Sequence, residues 1–106
     1  MSSIFRGCYS LTSLDLSNFN TNNVTNMRTM FLRCSSLTTL NLSNFNTNNV
    51  EDMFKMFYNC SSLTSLNLDN FNTNNVKDMK DIFSKLNKNC EIICKDEKIL
   101  FEIKNI

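Results

Sequence analysis

The chain contains no Pro, Trp, His, Ala or Gln and a single Gly among its 106 residues. Without His it lacks the side chain that titrates nearest neutrality and the commonest metal ligand. With one Gly it cannot build a phosphate-cradling loop of the Walker or dinucleotide type. The longest apolar runs are three residues, far below the roughly 20 that a membrane helix needs. Charge of one sign is also lacking. The net charge is +1, from 11 basic and 10 acidic residues, with no electrostatic footprint for nucleic acid. Residues 1–15 carry neither a basic segment nor an apolar run, so they do not read as a signal peptide.

What is present is Asn, 19 times, and a repeat. Phe5, Phe31, Phe57 and Phe83 lie 26 residues apart, as do Cys8, Cys34 and Cys60. The same step joins Leu14, Leu40 and Leu66, then Phe19, Phe45 and Phe71, then Val24, Val50 and Val76. Met1 and Ile4 fall in register opposite Met27 and Met30, and no insertion breaks the step before Phe83. Repetition at 20–50 residues is the signature of a stacked-repeat architecture.

Each copy divides by its periodicity. Leu14 and Leu16 alternate with polar residues, the period of a half-buried strand. Val24, Met27, Met30, Phe31 and Cys34 step by 3, 3, 1 and 3, which predicts a helix with one apolar face. Thr21-Asn22-Asn23 supplies side-chain oxygens for its first amides, and Asn18-Phe19-Asn20 is a turn with Phe inward. A single copy cannot offset the entropy of ordering itself; stacked copies can. Strands pack more closely than helices, so the stack curves with its strands concave. The predicted fold is α/β: a leucine-rich-repeat-like solenoid of 26-residue strand-loop-helix units. Residues 1–88 form the array, starting in mid-repeat, and residues 89–106 form a C-terminal capping β-hairpin. Its strands are Cys90–Cys94 and Ile99–Ile103, joined by Lys95-Asp96-Glu97-Lys98. The N-terminal end is read as uncapped.

The unit Asn-Met-x-x-Met-Phe-x-x-Cys-x-Ser-Leu-Thr-x-Leu-x-Leu-Ser-Asn-Phe-Asn-Thr-x-Asn-Val resembles the BspA-like leucine-rich repeats, the bacterial surface protein 26-residue repeat, over residues 1 to about 86. That resemblance implies secreted or lipid-anchored surface proteins of low-GC bacteria, wall-less ones included, acting in adhesion and host contact. It implies a location at the cell surface or outside the cell. The chain itself shows no signal peptide, lipobox or sorting motif, and would be cytoplasmic if it is the complete product.

Candidate sites follow from the repeat. Cys8, Cys34 and Cys60 share one position and read as small buried hydrophobes rather than ligands. Cys90-x-x-x-Cys94 lacks the further ligands a zinc site needs. The methionines read as core, and no cofactor or metal site is expected. The acidic pairs Glu51 with Asp52 and Asp78 with Asp81 have no desolvating partner for acid–base work, so no catalytic residue is assigned and the chain is not read as an enzyme. Two surfaces are candidates for binding. The concave face presents Ser13, Asp15, Thr39, Asn41, Ser65 and Asn67, short polar side chains without the Trp, Tyr or Arg of strong interfaces. The convex side presents Leu32, Phe54 and Tyr58 as an apolar patch. The expected function is a non-catalytic protein-interaction module. Its partner would be a host or surface protein, with no nucleic acid and no membrane insertion. The alternative is a truncated or intracellular structural repeat protein that self-associates through its uncapped N-terminal end.

Overall fold

The computed structural model describes residues 3–105, so Met1 and its register opposite Met27 lie outside the described residues. Three short strands form one parallel sheet in the order β1 (Thr39–Asn41), β2 (Ser65–Asn67) and β3 (Glu91–Ile93). Leu40 pairs with Leu66, and Leu66 with Ile92, so the register is the 26-residue step. One helix, α1 (Glu97–Lys104), follows β3. The whole measures 30 × 30 × 19 Å.

This overturns the predicted strand-loop-helix solenoid with its hairpin cap. Among the described residues the unit is small and compact, with three parallel strands and one short helix, and no solenoid of repeats is seen. The segments expected to be helical, from Val24, Val50 and Val76 onward, are chains of tight turns. The backbone shows why. The amides of Met27, Thr29, Phe31 and Arg33 donate to the carbonyls of Asp52, Phe54, Met56 and Tyr58 at 2.8–2.9 Å. Those of Met30, Leu32 and Cys34 donate three residues back, at 3.1–3.3 Å, to Met27, Thr29 and Phe31. An α-helix needs every amide to reach four residues back; here alternate amides leave the segment altogether. Left-handed residues make that possible. Thr29 and Arg33 have φ of 54° and 62°, Lys55 and Asn59 of 51° and 60°, and Asp81 and Lys85 of 56° and 61°. Each costs about 1–2 kcal/mol for a residue with a Cβ, opposed by crossing hydrogen bonds of about 0.5–1.5 kcal/mol each and by the core beneath.

That core is built of equivalent positions. The rings of Phe5, Phe31, Phe57 and Phe83 stack in a column with centroids 5.5–5.8 Å apart. Met27, Met30, Met53, Met56, Leu63, Leu66 and Cys60 are fully enclosed around it. Polar residues are repeated with equal economy. Thr21 accepts the Asn46 amide at 2.8 Å and donates to the Asn46 carbonyl at 3.2 Å. Thr47 does the same with Asn72, at 2.8 and 2.9 Å. Thr21 and its neighbours therefore link one turn to the next instead of capping a helix.

The second correction is at the end of the chain. Cys90, Ile92 and Cys94 do face inward more than Glu91 and Ile93, but Ile99–Ile103, expected as the returning strand of a hairpin, lies in α1. Asp96 starts the helix by accepting the Ile99 amide at 3.1 Å. The same carboxylate accepts the Thr73 amide at 2.8 Å and hydroxyl at 2.7 Å, the place that Asn46 and Asn72 take for Thr21 and Thr47. Ile99 is fully buried and Ile103 packs against the same core.

Candidate functional site

The six concave residues come together. Ser13, Asp15, Thr39, Asn41, Ser65 and Asn67 line a shallow groove of about 330 Å³, with Ile93 at one side. Their chemistry is largely engaged by the fold. Asp15, Asn41 and Asn67 each accept the amide two residues on, from Ser17, Ser43 and Asp69, at 2.9–3.0 Å. Those at Asn41 and Asn67 are Asx turns that end β1 and β2. The Ser17 amide and hydroxyl hold the Asp15 carboxyl below its ordinary value. Lys95 forms an ion pair with Asp69 at 3.4 Å at the far edge.

The second surface differs from its sequence reading in what covers it. Leu32 is buried, and Phe54 and Tyr58 are half-buried. The Arg28 guanidinium lies 4.0 Å from the centre of the Phe54 ring, and the Lys55 ammonium 5.1 Å from it. Lys55 also stands 4.8 Å over Tyr58, with Lys85 5.6 Å from the same ring. Cations over aromatic faces are attracted by the ring quadrupole. Arg28 is further fixed by Asp52 at 3.4 Å and Asp78 at 3.9 Å. A groove of about 340 Å³ runs beside this cluster, lined by Arg6, Arg28, Lys55, Leu32 and Phe54 with the hydroxyl residues Ser3 and Thr29. The Ser3 and Thr29 hydroxyls are 2.7 Å apart. The patch is therefore cationic and aromatic together. The sequence signal for this was the 26-residue step itself, which sets Arg28, Phe54 and Lys80 in one row and Thr29, Lys55 and Asp81 in the next.

The thiols of Cys34, Cys60, Cys90 and Cys94 are held in their neutral form. Burial pushes Cys34 up to about 11 and Cys60 up to about 12, and also raises Cys90 and Cys94. All five cysteines are free. The Cys34 and Cys60 thiols donate to the carbonyls of Phe5 and Phe31 at 3.0 and 3.2 Å. A neutral thiol is a poor nucleophile and a poor ligand. Among the described residues, no three His, Cys, Asp or Glu cluster so as to hold a metal ion. No helix among them is long and apolar enough to cross a membrane.

Fold and surfaces together define a small parallel-sheet unit, built on a 26-residue repeat, whose exposed chemistry lies in surface charge and aromatic rings. More particularly, the chain belongs to the family described as Mycoplasma protein of unknown function, DUF285, whose profile matches residues 1–95. The match ends at Lys95, before α1. No curated protein and no solved structure matches the chain.

Proposed function

We propose that this chain is a non-catalytic protein-interaction module of a bacterial surface protein acting in adhesion, as its resemblance to the BspA-like repeats implies. The observation that carries the reading is the cluster of Arg28, Phe54, Lys55 and Tyr58. These side chains are held in mutual contact at the surface and make few demands on the core. Arg and Tyr are the residue types that dominate binding hot spots, and here they are ordered before any partner arrives, which lowers the entropy lost on binding. The concave face offers less, since its Asn and Asp oxygens serve the local backbone. The partner in this reading is a host or surface protein.

A photoreactive residue placed at Tyr58, and separately at Asn41, tests the reading in intact cells that display the chain. A protein adduct from position 58 and little from position 41 is expected. No protein adduct from either position would refute an interaction role for these faces.

A second reading, self-association through the N-terminal end, has its own observation. Phe5, Leu14 and Phe19 are only partly buried, whereas their equivalents Phe31, Leu40 and Phe45 are enclosed. Ile4 and Tyr9 are exposed beside them. Light scattering on the purified chain across a concentration series decides it: a concentration-independent monomer mass rules the second reading out.

A further inference from the structure

Charge is unevenly placed on a chain that is nearly neutral. Seven of its 11 basic residues, Arg6, Arg28, Arg33, Lys55, Lys77, Lys80 and Lys85, lie in the turn segments that carry the aromatic cluster. The acidic residues there are Glu51, paired with Lys77, Asp52 and Asp78, both engaged by Arg28, and Asp81, which accepts from the Ser84 hydroxyl. Arg6, Lys55, Lys80 and Lys85 form no ion pair among the described residues. A surface with this excess of basic charge selects partners and raises association rates through complementary charge.

From this surface we infer that the groove beside Phe54 docks an acidic peptide segment of a partner protein, its carboxylates meeting Arg6 and Lys55 and an apolar side chain seated in the groove that Leu32 and Phe54 line below the cations. The inference rests on the proposed protein-interaction role and names the chemistry of the partner. The geometry favours carboxylates on a peptide over other polyanions. Sugars and nucleobases bind by stacking on open ring faces, and the ring faces here are taken by Arg28, Lys55 and Lys85. A membrane-surface contact calls for apolar side chains projecting from the basic face; Leu32 is buried and Phe54 and Tyr58 lie beneath the cations. What the groove offers is the cations' own hydrogen-bonding groups above an apolar floor, in a volume suited to a few side chains.

Fluorescence anisotropy with the intact chain tests this. The probe is a labelled dodecapeptide of Glu residues interrupted by single Phe residues, compared with the same peptide carrying Gln for Glu. Binding of the Glu peptide only, weakening as NaCl is raised from about 50 to about 300 mM, is the expected result. The pair Arg6→Glu and Lys55→Glu should weaken it by about tenfold or more, while Arg6→Lys with Lys55→Arg keeps it within about threefold. Each variant's urea midpoint is measured alongside, and Lys55→Gln serves as a second variant that removes one charge without reversal. Equal binding of the Gln peptide, no binding of the Glu peptide, or unchanged binding after charge reversal in a folded variant would overturn the proposal. So would tighter binding to heparin, to phosphatidylserine vesicles or to a single-stranded oligonucleotide. A protein adduct at Tyr58 together with a silent Glu peptide would refute the acidic partner and leave the interaction role standing.

Discussion

Removing the Asp96 carboxylate should uncouple α1 from the rest of the molecule. In Asp96→Ala three hydrogen bonds disappear at once: the cap on Ile99 and the two to Thr73. Loss of an N-cap costs about 0.5–2 kcal/mol. Thr73 is 1% exposed, so its orphaned amide and hydroxyl add about 1–3 kcal/mol of uncompensated desolvation. The expected total is about 2–4 kcal/mol, a large part of the roughly 5–15 kcal/mol by which domains are stable. Asp96→Asn keeps one carbonyl oxygen for Ile99 and should cost about half as much. Urea unfolding followed by circular dichroism gives the stabilities. A double-mutant cycle with Thr73→Val isolates the Asp96–Thr73 term, expected at about 1 kcal/mol or more. Amide hydrogen exchange provides the local readout. Protection at Leu100, whose amide reaches the Asp96 carbonyl at 2.9 Å, should fall further than protection at Met56. A loss below about 0.5 kcal/mol, or exchange at Leu100 unchanged, would refute the reasoning that one carboxylate both starts the helix and closes the last turn.

Other outcomes follow from the same physics. Phe57→Ala removes the ring between Phe31 and Phe83 and should cost about 3–5 kcal/mol, read from the urea midpoint. Gly7 and Arg33 are equivalent positions at φ of 70° and 62°, so Gly7→Ala should destabilise by about 1 kcal/mol while Arg33→Gly should not. A Cβ at Gly7 meets only the Tyr9 ring at 3.6 Å, which leaves the backbone as the cause. Cys34 and Cys60 have folded values raised above those of the unfolded chain. Their stabilising contribution is therefore full below about pH 9 and is lost as pH rises toward 11–12, with a slope of up to about 1.4 kcal/mol per pH unit for each thiol. Urea titrations from pH 8 to 11 check the sign, and Cys60→Ser should flatten the slope.

The repeat and much of the burial were legible from residue spacing. Phe31, Phe57, Met27, Met53, Leu40 and Leu66 are enclosed as their common step predicts. The backbone that enclosed them was not legible. Steps of 3, 3, 1 and 3 fit a helix, yet they equally fit successive three-residue turns. The deciding element is left-handed Thr29 and Arg33, and nothing in a Thr or an Arg announces a positive φ. Only Gly7, at the position of Arg33 and Asn59, hinted at it. At the other end, Ile99, Phe101 and Ile103 alternate as a strand would. Asp96 before Glu97, with Ile99 and Ile103 four apart and Lys104 in the last turn, carried the helical signal that the alternation obscured. The apolar patch was legible in position but not in character, because Arg28 and Lys55 reach it from different copies of the repeat.

The alternation of amide partners has a consequence for how the chain acquires its shape. In the turn segments that begin at Ser3, Val24 and Val50, alternate amides donate to a carbonyl 25 residues further on, as Thr29 does to Phe54 and Lys55 to Lys80. None of these three segments can complete its hydrogen bonds before the next has arrived and adopted the same path. Each crossing bond also closes a sizeable loop before it returns any stability. Folding dominated by such distant pairings belongs to the slow end of the range for small domains, milliseconds to seconds rather than microseconds. A chain with very little helix would in this respect behave like an all-β protein, its rate set by bringing neighbouring copies together and not by any local structure within one of them.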